Sequence, residues 1–182
     1  MTISTQQLTG TFVADPVHSS FEFAVKHMKV ATFRASFGDV DARVVADESG
    51  LRVEGTARVE SISINHPAEF RQHVLHGADF FDGGNHPEIT VRSQTVRVHD
   101  DGTLTAEGEL TIKGVTKPVT ATGTLAEPVE DPFGSVRSAV ELTTTVDRRD
   151  WGMDWQMQMP GGGDVLSYDV TITARLELVK GA

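Results

Sequence analysis

The sequence predicts an all-β fold, an antiparallel β-barrel of eight or nine strands with one short helix. Three observations carry this prediction: apolar and polar residues alternate over long runs, short turn sequences separate the runs, and a single segment has helical periodicity. A period of two indicates a strand with one apolar and one wet face. Such a sheet covers its apolar face with a second layer or by closing on itself.

The alternating runs define the strands. In residues 51–60 the odd positions are apolar or small, whereas the even positions are Arg, Glu or Thr. Turn sequences at 47–50, 100–102 and 113–116 lie between runs, as expected for hairpins. The strand count depends on whether the first two runs form one bent strand. The runs centre near Phe12, Phe21, Phe37, Val53, Val91, Leu104, Ala121, Val140 and Ile172.

Small residues occupy many positions on the predicted inner face. A barrel of about eight strands is either just filled by its side chains or holds one small ligand. Because small side chains cannot fill such an interior, we predict an elongated apolar cavity. The alternative is a sandwich in which the small residues face large ones across a filled core. The small inward residues are Gly55, Ala57, Ala106, Gly108, Ala121, Gly123, Ser138 and Ala174.

Composition narrows the function classes. The 182 residues suit one domain, which we expect at 11–180 after a flexible tail at 1–10. The net charge of −10, with scattered basic residues, argues against nucleic-acid binding. The absence of cysteine excludes disulfides and thiol chemistry. Residues 1–10 do not resemble a signal peptide, and no long apolar stretch occurs. We therefore expect a cytoplasmic protein without a transmembrane segment. Transient contact with a membrane is compatible with this expectation.

Two irregular segments interrupt the strands. Residues 67–75 have apolar positions on one helical face, and Gly77 suits a helix end, which predicts one short helix. The helix and the following Phe80 and Phe81 could plug one end of the barrel or form a surface helix anchored to the core. In the second segment, both tryptophans and three methionines share one side of an extended ribbon, which suits contact with a flexible hydrocarbon, a core stripe or a dimer interface. These five residues are Trp151, Met153, Trp155, Met157 and Met159.

Several motifs, in order along the chain, resemble those of the YceI-like family, also called polyisoprenoid-binding proteins. Residues 15–27 (DPVHSSFEFAVKH) resemble the family's opening motif, and residues 149–152 (RDWG) are similar to a motif near its end. Each motif alone is weak, but their order is specific. The others lie at 33–37, 61–62, 79–82, 87–90 and 110–116.

The resemblance implies a lipocalin-like antiparallel barrel, usually a homodimer, that holds a long isoprenoid lipid or an isoprenoid quinone in an apolar tunnel. It implies no catalytic residues and no cofactor other than the bound lipid. Burial of one isoprene unit offers roughly 3–4 kcal/mol, so a few units suffice for binding.

We therefore predict a ligand site formed by aromatic and thioether side chains. Arg149, Asp150, His18 and Ser19 flank the aromatic segments and are candidates for contact with a polar head group. The predicted tunnel residues are Phe21, Phe23, Phe33, Phe37, Phe80, Phe81, Trp151, Met153 and Trp155.

Three alternatives are weighed against a lipid carrier. His66, His73 and His76 could meet near the helix as a metal site, although a complete ligand set is missing and we predict no metal. Asp15, Ser19 and His27 have the composition of a hydrolase triad, but no nucleophile elbow accompanies them. The third alternative is a dimeric scaffold without a ligand.

Overall fold

The computed structural model describes residues 8–181. Antiparallel strands dominate, and a single α-helix, α1 (Ala68–His76), lies among the described residues. Short 3-10 helices lie at Val59–Ser61 and Arg148–Trp151. The strands are β1 (Gly10–Ala14), β2 (Ser20–His27), β3 (Ala31–Phe37), β4 (Val40–Asp47), β5 (Gly50–Arg58), β6 (Glu88–Val98), β7 (Thr103–Ile112), β8 (Val115–Leu125), β9 (Val129–Glu130), β10 (Val136–Asp147) and β11 (Leu166–Lys180).

Eight of these strands close into an antiparallel barrel, which confirms the predicted fold class. The order around the barrel is β11-β1-β4-β5-β6-β7-β8-β10, and β10 pairs back onto β11. That closing pair is the longest ladder in the described residues, with Arg137–Asp147 opposite 169–179. The short strand β9 adds to β10 outside the ring.

The first two runs of the sequence form separate strands that share one edge of β11. Strand β1 pairs with the end of β11 at 178–180, and β2 pairs with its earlier part at 166–175. Residues 15–19 form the turn between them. Strand β3 pairs along β2, so the β2–β3 hairpin extends one wall beyond the closed ring.

The hydrophobic core has two clusters, one at each end of the barrel. Phe12, Leu104 and Leu178 are almost fully buried in one cluster, and Phe37, Leu75 and Trp151 in the other. Helix α1 covers the second end by burying Val74 and Leu75. It begins at Ala68, with Pro67 as its N-cap, and Gly77 is its C-cap as the sequence indicates. The helix therefore lies across one end of the barrel instead of on its outer wall.

The expected N-terminal tail falls mainly outside the described residues. Its positions 1–7 are not described, whereas Leu8 is buried in the core and Gly10 begins β1. Within residues 8–181, no helix has the length and apolar character needed to cross a membrane.

Candidate functional site

A cavity of about 530 Å³ lies between α1, the β2–β3 hairpin and the segment 152–165, which we call the strap. This volume falls within the range of small-ligand sites, about 300–1,000 Å³. Its walls are mainly aromatic and aliphatic, and the polar side chains among them are His27, His66, His73 and Arg148. Eight predicted site residues line this main cavity: Phe21, Phe23, Phe33, Phe37, Phe80, Phe81, Met153 and Trp155.

Phenylalanine rings from β2, β3 and the loop after α1 form the floor of the main cavity. The Phe23 ring centroid lies 6.2 Å from that of Phe33, 5.9 Å from that of Phe37 and 5.8 Å from that of Phe81. Phe37 and Phe81 meet edge to face, with an interplanar angle of 89°. Offset and edge-to-face contacts of this kind add to the burial of each ring. The floor is therefore a packed aromatic surface that offers broad apolar contact.

The strap closes one side of the main cavity through aromatic contacts. The Phe80 ring stacks on Trp155 with centroids 5.6 Å apart, and the His73 ring meets the Phe80 ring edge-on at 5.1 Å. The Asp79 carboxylate lies 3.2 Å from Nε2 of His73 and orients that ring. Helix α1, the loop after it and the strap therefore meet at one point on the cavity wall.

Arg148 is a buried cation on the cavity wall that sequence reasoning missed. Its Nε–H donates to Ser167 O at 3.0 Å, and its Nη groups donate to Met153 O and Trp155 O. Its side chain also lies over the Tyr168 ring, 4.8 Å from the centroid. Because burial disfavours the charged form, it lowers the pKa of the Arg148 guanidinium.

The bonds of Arg148 tie the strap to the first residues of β11. The alternation along β10 could have identified this residue. Position 148 continues the series of inward-facing even positions that includes Val140, Leu142 and Val146. The adjacent Arg149 has the outward parity.

A second cavity, of about 90 Å³, lies deeper in the barrel and is lined by many of the predicted small residues. Phe21, Ile89 and Ile172 line both cavities and stand between them. The interior is therefore divided, and the large cavity is not the one formed by the small residues. Members of the predicted small set in this deeper lining are Gly55, Ala57, Ala106, Gly108, Ala121 and Ala174.

Two glycines in the predicted small set permit close strand approach. A Cβ on Gly123 would lie 1.7 Å from Glu141 O, and one on Gly108 would lie 2.3 Å from Arg92 O. A Cβ on Gly55 would meet only Val91 and Ala42 side chains and the Asp41 carbonyl, all at 3.4–3.6 Å. Gly108 and Gly123 therefore allow neighbouring backbones to approach where the barrel wall curves, as glycine does in strand interiors.

Three predicted ligand residues lie away from both cavities. Trp151 is 2% exposed and packs in the core, where its Nε1–H donates to Leu110 O at 3.3 Å. Arg149 points outward, pairs with Asp147 and lies over the Tyr168 ring. His18 sits in the exposed turn before β2. The predicted placement of these three residues is therefore corrected. Trp151 belongs to the packed core, Arg149 lies on the outer face of the barrel, and His18 lies in a turn.

The candidate hydrolase residues do not come together. His27 lies at the far end of β2 and lines the main cavity, whereas Asp15 and Ser19 lie beside Glu177 at the other end. Eight residues of extended chain separate Ser19 from His27, roughly 25 Å at strand rise. The Asp15 carboxylate is paired with Arg137 at 2.9 Å, which holds the pKa of Asp15 well below its ordinary value.

The histidines near α1 do not form a set of three metal ligands among residues 8–181. The group of that kind found there is Asp15, His18 and Glu177, at the opposite end of β2. Both of its carboxylates already accept hydrogen bonds from Nη1 of Arg137, at 2.9 and 2.7 Å. Arg137 therefore already occupies a carboxylate oxygen of each residue and offsets part of their negative charge.

Comparisons with known proteins agree with this architecture. A UPF0312 protein of Staphylococcus aureus is 31% identical over 168 residues, which cover 91% of this chain and 95% of that protein. The crystal structure of Burkholderia cenocepacia BcnA has a TM-score of 0.73 at 20% identity and covers 92% of this chain and 99% of that one. A polyisoprenoid binding domain from Saccharophagus degradans has a TM-score of 0.67 at 10% identity, with 96% and 100% covered. Because the YceI-like domain model matches residues 12–178, the chain belongs to the YceI-like family.

Proposed function

We propose that this protein binds a long-chain isoprenoid lipid or isoprenoid quinone in the main cavity and stores or carries it without chemical conversion. The observation that carries the proposal is a cavity of about 530 Å³ whose walls are largely aromatic and aliphatic. Membership of the YceI-like family and similarity to a polyisoprenoid binding domain of Saccharophagus degradans support the same ligand class.

Burial of apolar surface supplies the binding energy. Each isoprene unit offers roughly 3–4 kcal/mol on transfer from water, from which the cost of ordering the chain is subtracted. The rings of Phe23, Phe33 and Phe37 present planar faces that suit the methyl-branched, unsaturated chain. Affinity therefore needs several buried units and few polar contacts.

The polar head of the ligand would lie near Arg148 or one of the cavity histidines. Arg148 directs four N–H bonds to backbone carbonyls, and a guanidinium has five N–H donors. A carbonyl or hydroxyl head could accept the remaining bond. Arg148 thus replaces Arg149 and His18 as the candidate for head-group contact.

Mass spectrometry of lipid extracted from the purified protein tests the proposed function. We expect an isoprenoid or isoprenoid quinone, either co-purifying or loaded in vitro. Val170→Trp, which places a large ring in the main cavity, is expected to lower the bound amount at least several-fold. Val17→Trp is the control, because Val17 is 82% exposed and lies in the turn before β2. Absence of any long-chain lipid after loading would refute the proposal.

Exchange with membranes separates a carrier from a scaffold. A carrier is expected to release labelled isoprenoid to lipid vesicles and to take it up again, with no change in the mass of the lipid. A scaffold is expected to do neither, and an enzyme would alter the mass of the lipid.

The homodimer and the cytoplasmic location stay predictions. The outer edge of β3 carries one isolated bridge, Phe37 to Ile62, among the described residues, so most of this edge is free to pair with a second copy. Sedimentation velocity of the intact chain tests the dimer, and cell fractionation tests the location.

A further inference from the structure

We propose that Phe21, Ile89 and Ile172 form a wall that limits the length of the chain this protein accepts. The inference rests on the proposed function, because it concerns the far end of the same ligand. These three side chains line both the main cavity and the deeper one of about 90 Å³. They are therefore the residues that an extending tail meets at the end of the main cavity.

The wall is built from opposite sides of the barrel. From β11, which carries Ile172, the ring reaches β6, which carries Ile89, through β1, β4 and β5 in one direction and through β10, β8 and β7 in the other. The two strands are thus diametrically opposed. Phe21 joins from β2, whose register places it opposite Ala174, two residues beyond Ile172.

The two isoleucines of the wall are held rigidly. Ile89 is 3% exposed and Ile172 is 7% exposed, and both belong to the same core cluster. Phe21 packs against Phe37 with ring centroids 5.9 Å apart. A β-branched side chain has restricted rotation about χ1, and packed cores resist displacement. The wall therefore blocks a tail instead of yielding to it.

The space behind the wall suits an apolar chain end. It is lined by Ala106, Ala121, Ala174 and other small inward residues, and little of its exposed lining surface is polar. Its volume of about 90 Å³ is roughly three times that occupied by a water molecule in the liquid. Removal of one wall side chain adds further room, so the joined cavities would accept about one more isoprene unit.

Ile172→Ala is the variant that opens the wall. Each purified variant is incubated with an equimolar mixture of isoprenoid alcohols of graded chain length, and the bound species are identified by mass spectrometry. We expect the most abundant bound alcohol to become longer by about one isoprene unit than in the wild type. Ile62→Ala is the matched control, because Ile62 is 4% exposed, belongs to the same core cluster and lines neither cavity. It is expected to leave the preferred length unchanged.

A second substitution tests where the extra unit lies. Ala121 lines the deeper cavity and not the main cavity, so the larger side chain of Ala121→Leu is expected to fill the deeper cavity. The double variant Ile172→Ala, Ala121→Leu is expected to return to the wild-type length, and Ala121→Leu alone is expected to keep it. Ile89→Ala replaces the first variant if thermal unfolding shows that Ile172→Ala does not fold.

The outcomes separate this proposal from the proposed function. If the wild type binds alcohols and Ile172→Ala selects the same length as Ile62→Ala, the wall does not set the length and lipid binding stands. If the double variant keeps the longer chain, the extra unit lies outside the deeper cavity. That result would overturn the proposal that the wall keeps the tail out of this cavity, and lipid binding would stand. If the wild type binds neither these alcohols nor isoprenoid quinones of the same chain lengths, the proposed function itself fails.

Discussion

The Phe80 ring stacks on the indole of Trp155, with centroids 5.6 Å apart, and this contact joins the loop after α1 to the strap. Because Trp155 lines the main cavity, the contact bounds one side of it. The His73 ring packs edge-on against both partners, at 5.1 Å from Phe80 and 6.4 Å from Trp155. None of these three residues belongs to a strand of the eight-stranded ring, so a substitution among them is expected to leave the barrel closed.

Trp155→Ala is expected to speed the release of bound isoprenoid to lipid vesicles by about twofold to tenfold. An aromatic pair contributes about 0.5–1.5 kcal/mol beyond its buried area, and the strap would open more often without it. Stopped-flow transfer of a fluorescent isoprenoid measures the rate. Trp155→Phe keeps a stacking ring and should stay close to the wild type, as should Phe133→Ala, whose side chain is 93% exposed. Equal release rates for Trp155→Ala and wild type would contradict this role of the strap.

Arg148→Met is expected to lower the free energy of unfolding by about 2–5 kcal/mol, because it leaves buried carbonyls without donors. The carbonyls of Met153, Trp155 and Ser167 would lose their bonds together. Arg149→Met removes an equal charge from the exposed pair with Asp147 and should cost less than about 1 kcal/mol. Urea unfolding followed by circular dichroism measures both variants. Similar losses for the two would show that Arg148 does not hold the strap.

Gly123→Ala is expected to lower the free energy of unfolding by about 2–4 kcal/mol, because the new methyl group would collide with Glu141 O. The ideal Cβ position lies 1.7 Å from that oxygen, so β8 and β10 would have to separate. Gly55→Ala is the matched control, since its Cβ meets its neighbours at 3.4 Å or more. We expect the control to stay within about 1 kcal/mol of the wild type. Thermal and urea unfolding of both variants check this, and equal stability would refute the close approach.

The Arg137 network is expected to stabilise the fold at neutral pH and to lose that effect in acid. Arg137 donates to Asp15 and Asp131, and these bonds hold the pKa of both carboxyls below the ordinary value of 3.8. The unfolded chain therefore binds protons more readily than the folded chain. The stabilising contribution of the network is complete at pH values well above 3.8. It is lost as the pH falls through 3.8 toward the lower pKa values of the folded state.

Arg137→Met should therefore be less stable than the wild type at pH 7, and the difference should shrink below about pH 4. Urea midpoints measured across this pH range check the shape of the curve. Arg97→Met controls for the loss of one positive charge, because Arg97 lies 3.9 Å from Glu107 on the exposed surface. A constant difference between Arg137→Met and wild type at every pH would argue against the network.

The sequence was sufficient for the barrel because its strands carry a period of two. Leu51, Val53 and Ala57 are buried as their parity requires, and α1 ends before Gly77 as its pattern indicates. The separation of β1 from β2 was harder to predict, because both strands face the same edge of β11. Their division depends on the turn at 15–19, which long-range pairing defines.

The sequence predicted the site correctly only for residues whose side-chain type and strand position together indicate that they face inward. Aromatic residues on the inner parity, such as Phe23 and Phe37, do line the cavity. Trp151 shares the parity of Met153 and Trp155 along the ribbon, but residues 148–151 form a 3-10 helix that turns its ring into the core. The division of the interior depends on how closely Ile89 and Ile172 approach each other across the barrel. The alternation pattern of the sequence does not give that separation.

The position of β11 has a consequence for biosynthesis. Strand β11 pairs with β1, β2 and β10, so the ring cannot close until residues 166–180 have left the ribosome. Until then the β2–β3 hairpin lacks the strand on which it docks, and its phenylalanines are exposed to water. Topologies dominated by such distant pairings form slowly, and their open intermediates are prone to aggregate. The nascent chain therefore depends on the fifteen residues of β11 to hide its apolar surface.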